Sequence, residues 1–148
     1  MFEPFADGGL NPKFTFHSPV QLHELDAAGM LPSSRFTSHV ESAIAAWYNV
    51  SGRGSAFGDL HVVRDIHIEF LNPMTGPALM RIDVWVDELD ETSCVYGFIC
   101  SSADGRVAYA RGDRTILNLD AQSHRPAAWS MPFRARHEAL RKDLPSLA

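Results

Sequence analysis

Residues 32–48, PSSRFTSHVESAIAAWY, decide the fold of this chain. Six side chains recur there at the three- and four-residue spacing of one buried helix face: Phe36, His39, Val40, Ala43, Ile44 and Trp47. Ser33 or Ser34 can cap this helix, and the glycines of residues 51–54 predict its end. Further apolar residues (Ala45, Ala46, Tyr48) predict that the helix is covered on more than one side.

On both sides of this helix the sequence changes to the two-residue period of β-strands. Residues 14–23 predict a first strand with Leu22 facing inward, and Pro19 bends that strand or places it at a sheet edge. Four alternating runs follow the helix and predict an antiparallel meander: residues 61–70, 80–86, 94–100 and 107–119. In the first run we expect Val62 and Ile66 on one face, and His61 and His67 together on a face. Residues 133–144 predict a short terminal helix.

The predicted order is therefore one strand, one long helix and four antiparallel strands. A curved five-stranded sheet can wrap a single helix, and this α+β arrangement is the hotdog fold. Cystatin-like folds are the main alternative, although they usually carry more helix before the sheet. A lone hotdog domain would leave a sheet edge and part of its helix uncovered, so we expect a homodimer or a homotetramer. Residues 1–148 are predicted to form one domain, with a core at about 14–120 and a C-terminal tail at 121–148.

Composition narrows the range of functions. The net charge of −5 argues against a nucleic-acid-binding surface, which needs a basic excess. No apolar run reaches the length of a membrane span, and the acidic N-terminal segment lacks a signal-peptide pattern, so we expect a cytoplasmic protein. Cys94 and Cys100 lie on one predicted strand about 20 Å apart, too far for a disulfide. No histidine or cysteine spacing predicts a metal site.

A candidate site precedes the long helix, in the run HELDAAG at residues 23–29. Asp26 lies there beside a helix N-terminus, whose free N–H groups and dipole favour negative charge. A base or nucleophile next to such donors is what acyl-transfer chemistry requires. The alternative is that an Asp before Ala-Ala-Gly only forms a turn.

An ordered set of residues connects this site with the rest of the chain. Its members are Asp26, Gly29, Phe36, Glu41, Ala43 and Trp47, then residues 61–64, 68–70, Pro73 and Gly76, and finally residues 117–120, Arg125, Pro126 and Pro132. The set resembles the acyl-CoA thioesterases of the hydroxybenzoyl-CoA thioesterase type, most closely the bacterial branch associated with Tol–Pal genes. The resemblance covers about residues 14–132.

The resemblance implies hydrolysis of an acyl-CoA or acyl-carrier-protein thioester without a metal or another cofactor. It implies that Asp26 is the general base for water or the nucleophile, and that the Ser33 backbone N–H binds the oxyanion. Glu41 either contacts the acyl group across the dimer or is a solvated or ion-paired surface residue. The implied substrate-binding residues are Gly29, Ser34, Arg35, Phe36 and Arg64. The cations that could bind CoA phosphates are Arg64, Arg111, Arg114, Arg125, Arg134, Arg136, Arg141 and Lys142.

Two residues depart from the family pattern. Ser33 stands where the family usually has His or Tyr, and Arg35 where it usually has Asn. These changes indicate a different substrate, such as a larger or anionic acyl group, or a decayed activity. A non-catalytic hotdog protein that binds acyl-CoA is one alternative, although a binder needs no carboxylate at the helix start. A hotdog dehydratase or hydratase is another, because such sites pair an acid with a histidine and His23 and His39 lie nearby.

Overall fold

The computed structural model of the protein describes residues 13–50 and 59–141. The elements are β1 (Phe14–Val20), a 3-10 turn (Leu22–Glu24), α1 (Ser33–Val50), β2 (Asp59–Phe70), β3 (Ala78–Leu89), β4 (Ser93–Ser102), β5 (Ala108–Asp120) and α2 (Met131–Ala139). All five strands form one antiparallel sheet in the order β1-β3-β4-β5-β2, and α1 packs on one face of it. The predicted hotdog architecture is confirmed. In the described ranges no helix is both long and apolar enough to cross a membrane.

The helix α1 buries the face that its sequence period predicts. All six residues of that face are buried against the sheet: Phe36, His39, Val40, Ala43, Ile44 and Trp47. Covering on the flanks is partial, because Ala46 and Tyr48 are half-buried while Ala45 is exposed. The helix end predicted at residues 51–54 lies outside the described residues.

The strand order differs from a simple meander. Strands β3, β4 and β5 do follow one another, but β2 pairs with β5 at the far edge of the sheet. The β2–β3 connection crosses beside the segment that precedes α1, where Leu31 N–H donates to Met74 O (2.9 Å) and Gly76 N–H donates to Gly29 O (3.0 Å). This connection is therefore a crossover, which lets the sheet close around the helix.

A bulge at Arg64 changes the predicted alternation of β2. One extra residue moves every later side chain to the other face. Ile66 consequently faces α1, whereas Val62 lies on the opposite face. His61 contacts aromatic rings on the helix side, and His67 contacts a carboxylate on the outer face. The prediction that Val62 and Ile66 share a face, and the same prediction for His61 and His67, are both wrong for this reason.

The first strand is shorter than predicted. It ends at Val20, because the Glu24 carboxylate accepts the Gln21 N–H and turns the chain into a 3-10 helix. Leu22, predicted to face inward, is 72% exposed as a result, and the inward position before Val20 belongs to the buried Ser18. Pro19 lies on the edge strand β1, as predicted.

The segment that follows β5 also joins the core. Ser130 caps α2 by accepting the Phe133 N–H, and the Phe133 ring stacks between Trp129 (centroids 3.9 Å apart) and His137 (3.6 Å). The predicted terminal helix is present, but it begins at Met131 and ends at Ala139. Hydrogen bonds to β4, from Trp129 Nε1 to Ser93 O and between the Tyr96 hydroxyl and His137 Nε2, dock this segment onto the sheet.

Candidate active site

Asp26 lies in a tight turn between β1 and α1. Its Oδ1 accepts the N–H groups of Ala28 (2.9 Å) and Met30 (3.0 Å). The backbone closes the same turn, because Asp26 N–H donates to Met30 O and Gly29 N–H donates to Asp26 O. Gly29 has a φ of +78°, a left-handed conformation that favours glycine. The turn-forming role of Asp26 is thus real, and it holds the carboxylate in one orientation.

The exposed carboxylate precedes the start of α1 by one short segment. Ser33 is the first residue of α1, and Ser33, Ser34 and Arg35 are all exposed. First-turn N–H groups have no acceptor within their own helix. In the described part of the chain no acceptor binds the Ser33 N–H, and no donor binds the second carboxylate oxygen of Asp26. An exposed carboxylate and a free N–H therefore lie seven residues apart, at the two ends of the segment that joins the turn to α1.

The remaining predicted site residues divide into two groups. Gly29, Ser34 and Arg35 belong to the turn and to the first turn of α1, and Phe36 is buried just below, edge-on to the Phe70 ring (5.5 Å, 66°). Arg64 lies elsewhere, at the β2 bulge, where its Nε donates to an adjacent carboxylate. The structure does not bring Arg64 to the Asp26 turn.

Glu41 lies further along α1 and is ion-paired. Its Oε1 accepts from Arg114 Nη2 of β5 at 3.1 Å, and its side chain is half exposed. Beside this pair is a narrow opening between α1 and the sheet, lined by Thr37, Val40, Ile66, Phe98 and Arg114, which is too tight to admit a water molecule. The Nε of Arg114 is buried there without a hydrogen-bond partner among the described residues. The opening is thus mostly apolar, with one cation at its wall.

The sequence did not indicate a network that links β1, the 3-10 turn and α1. Ser18 Oγ lies 2.5 Å from His39 Nδ1, and His39 Nε2 lies 2.7 Å from Glu24 Oε1. The side chains of His39 and Glu24 are only 8% and 11% exposed. One feature of the sequence could have indicated this network. Ser18 and His39 are polar residues at positions of the strand and helix patterns that otherwise hold apolar side chains.

Glu24 is the charged member of this network. Burial raises the pKa of Glu24, but hydrogen bonds from the Gln21 N–H and from His39 outweigh it and bring the pKa below its ordinary value. An ionised carboxylate only accepts hydrogen bonds, so His39 Nε2 carries the proton that is donated to Glu24. In the neutral ring His39 Nδ1 then accepts the Ser18 hydroxyl proton.

Both cysteines and His137 are buried. Burial raises the pKa of the Cys100 thiol to about 12 and that of Cys94 further, so neither is a nucleophile. His137 accepts from the Tyr96 hydroxyl (2.7 Å) and donates to Phe133 O, and burial lowers its pKa to about 4. These groups stabilise the core.

A further cluster could hold a metal ion. The ligand atoms of Asp65, His67 and Asp113 lie within 4.8 Å of one another. Arg64 already donates to Asp65, and this hydrogen bond is the main reason that the pKa of Asp65 lies below its ordinary value. The cluster is on the sheet face opposite α1, so it does not contribute to the Asp26 turn.

The protein is thus a hotdog domain in which an exposed aspartate, Asp26, lies in the turn that precedes α1. Residues 20–137 match the thioesterase-like superfamily, and the chain belongs to that family. The predicted enzyme class, a thioesterase, is confirmed by this assignment. A search of curated protein sequences found no match.

Solved structures share the fold at low sequence identity. A 1,4-dihydroxy-2-naphthoyl-CoA thioesterase from Synechocystis superposes with a TM-score of 0.78 at 16% identity, covering 84% of this chain and 94% of that one. A DHNA-CoA thioesterase from Staphylococcus aureus gives 0.75 at 17% identity, with 86% and 87% covered. Another S. aureus protein, solved in complex with CoA, gives 0.78 at 10% identity, with 92% and 90% covered. At these identities the likeness establishes the fold.

Proposed function

We propose that this protein hydrolyses acyl-CoA or acyl-carrier-protein thioesters at the Asp26 turn, as a thioesterase of the hydroxybenzoyl-CoA or Tol–Pal-associated type. One observation carries the proposal. In a chain of the thioesterase-like superfamily, the Asp26 carboxylate is fixed by two backbone N–H groups in the turn that precedes α1, which begins seven residues later at Ser33. The order of matching residues around Asp26, Gly29 and Phe36 supports the narrower type.

We propose separate roles for the two carboxylate oxygens of Asp26. Oδ1 is held by the turn, so the other oxygen takes a proton from water or attacks the thioester carbon. With Asp26 as base, water adds to the carbonyl, the C–S bond breaks and the thiolate leaves and is protonated. With Asp26 as nucleophile, its oxygen bonds to the thioester carbon, the C–S bond breaks and the thiolate leaves and is protonated; water then cleaves the resulting mixed anhydride and frees Asp26. In either route the Ser33 N–H stabilises the oxyanion, a contribution of about 10²–10³-fold in rate.

The phosphates of a CoA thioester could bind to cationic side chains near this site. Arg35 is exposed beside Ser33, where it can meet a phosphate or an anionic acyl group. Several other candidate arginines are held by carboxylates, namely Arg64, Arg111, Arg114 and Arg141. Two of the structural neighbours are named for a CoA thioester substrate, and a third was solved with CoA.

We propose that the working form is a homodimer, or a homotetramer built from it. Strand β2 pairs with β5 on one side, and in the described ranges no strand pairs with its other edge. Val63, Ile66 and Phe70 of β2 are 43%, 37% and 47% exposed, an apolar surface that a second copy would cover. In that dimer Glu41 is proposed to reach the partner's acyl group.

The assembly is testable by sedimentation equilibrium. Val63→Lys should give a monomer with little activity, because a charge on the β2 edge opposes pairing. Leu79→Lys, at a similarly exposed apolar residue of β3, should leave assembly and activity intact. A monomeric wild-type protein that is fully active would contradict the dimer.

The activity is tested by thiol release from a panel of short, long, aromatic and dicarboxylic acyl-CoAs. Asp26→Asn keeps an oxygen that can accept the Ala28 and Met30 N–H groups, so it removes the charge and spares the turn. We expect kcat to fall about 10³-fold. Asp120→Asn is the matched control, because Asp120 Oδ1 also accepts two turn N–H groups. Equal rates in wild type and Asp26→Asn would contradict the mechanism.

Two other outcomes of the panel are informative. Binding of acyl-CoA without thiol release would favour a non-catalytic acyl-CoA-binding protein. Hydration of an enoyl-CoA would favour a hydratase, for which the His39–Glu24 pair is the specific observation. Those two side chains are hydrogen-bonded to each other and almost enclosed, which supports hydrolysis at the exposed Asp26 instead.

A further inference from the structure

We propose that Ser18, His39 and Glu24 form a positioning network that sets the distance between Asp26 and the oxyanion-binding start of α1. The network was not among the candidate site residues, and its catalytic consequence rests on the proposed function. None of its members is proposed to touch the substrate.

The network connects the segment that carries the base to the helix that carries the donor. Glu24 precedes Asp26 by two residues, and its Oε1 binds His39 Nε2 at 2.7 Å. His39 belongs to α1, whose first residue is Ser33. A single hydrogen bond therefore joins the proposed base and the proposed oxyanion site through two short stretches of chain.

Each end of this link has a second anchor. Glu24 Oε2 accepts the Gln21 N–H at 2.8 Å, which closes the 3-10 turn ahead of Asp26. His39 Nδ1 lies 2.5 Å from Ser18 Oγ on β1, so the ring cannot rotate without breaking a buried hydrogen bond. On the other side of Asp26, Leu31 N–H donates to Met74 O. The Asp26 turn is thus fixed from both directions.

Charge explains why a histidine and a carboxylate suit this link. Ionised Glu24 forms a charge-assisted hydrogen bond, which is shorter and stronger than a neutral one. The pair is nearly enclosed, so it is little screened by solvent. A displacement of about 1 Å between reacting groups can cost about 10²-fold in rate, so a rigid link matters at this position.

Side-chain length allows a graded test at position 39. The amide nitrogen of Gln lies near the position of His Nε2, so His39→Gln can still donate to Glu24. Asn is shorter, so His39→Asn reaches toward Ser18 and loses Glu24. We expect kcat on the best acyl-CoA of the panel to fall at least 10-fold in His39→Asn, to stay within threefold in His39→Gln, and KM to change less than twofold in both.

Glu24→Ala is the second variant, for the case that position 39 does not tolerate Asn. It should lower kcat at least 10-fold per folded molecule, and should have no further effect in the Asp26→Asn background. His17→Gln is the control, because His17 is the exposed neighbour of Ser18 on β1. A purely structural role would lower Tm and leave kcat per folded molecule unchanged.

Amide hydrogen exchange separates this inference from the proposed activity. The Ala28 and Met30 N–H groups, which bind Asp26, should exchange at least 10-fold faster in Glu24→Ala than in wild type or His17→Gln. Faster exchange without any Asp26-dependent hydrolysis in wild type would sink the proposed function and keep the positioning role. Unchanged exchange and unchanged kcat in Glu24→Ala would overturn the network.

Discussion

Two turns of this protein are each closed by an aspartate that accepts two backbone N–H groups, but they lie in different surroundings. Asp26 Oδ1 accepts the N–H groups of Ala28 and Met30, and Asp120 Oδ1 accepts those of the second and third residues that follow it. Each turn precedes a helix that contains a buried histidine, His39 in α1 and His137 in α2. Local hydrogen bonding alone therefore does not distinguish a candidate site from an ordinary turn.

The surroundings of the two histidines do distinguish them. His39 bridges a hydroxyl and the ionised Glu24, close to the exposed Asp26 turn. His137 lies between the Phe133 ring and the Tyr96 hydroxyl, with its pKa lowered to about 4 by burial. The first setting joins the segment of Asp26 to α1, whereas the second holds a ring in an aromatic core. We propose that this link to α1 distinguishes the Asp26 turn, as the site, from the Asp120 turn.

Among the tests of this comparison, we expect the largest change in kcat from a substitution at Ser33. Ser33→Pro removes the backbone N–H, and proline is tolerated at the first helical position. We expect kcat to fall about 10²–10³-fold, while Ser33→Ala, which keeps the N–H, stays near wild type. Thiol-release kinetics on both variants measure this. Equal rates would remove the Ser33 N–H from the mechanism.

Low pH should destabilise the protein through the protonation of His137 in α2. His137 has a folded pKa of about 4, below its unfolded value of 6.5, so the unfolded chain binds the proton more tightly. Its contribution to stability is complete above pH 6.5 and is lost as the pH falls toward 4, by about 3 kcal/mol in total. Urea unfolding of wild type and His137→Leu across this range should show a steeper loss in wild type. Parallel curves would contradict the neutral, buried state of His137.

The smallest of these effects is expected at Gly29. Ala at this φ of +78° meets no atom within 4 Å, so the cost is backbone strain of about 1 kcal/mol. Because Gly29 closes the Asp26 turn, we also expect a lower kcat, and Gly29→Asn should recover part of both losses. Gly105→Ala, at the same φ in the β4–β5 turn, should lose stability and keep kcat. Loss of kcat in both would indicate a general destabilisation.

The sequence predicted the elements whose signals are local. The period of α1 identified all six buried residues of its face, and the Asp26 turn was correctly placed before a helix start. The partner of β2 was not predictable from alternation, because pairing with β5 depends on how the sheet closes around α1. One extra residue at Arg64 was enough to reverse the face of His67.

The positioning network was missed for a related reason. Its members are 15 and 21 residues apart, and they meet only when β1 and α1 pack together. Each residue alone resembles a common surface or core residue, and only the packing shows that their polar atoms are within hydrogen-bonding distance.

The most direct test of the account is a crystal structure of Asp26→Asn with a non-hydrolysable acyl-CoA analogue, in which a methylene replaces the thioester sulfur. The proposed mechanism requires the analogue's carbonyl oxygen to lie about 2.7–3.1 Å from the Ser33 nitrogen, with its carbonyl carbon facing residue 26. An analogue bound with its carbonyl away from the start of α1, or at the Asp120 turn, would contradict it.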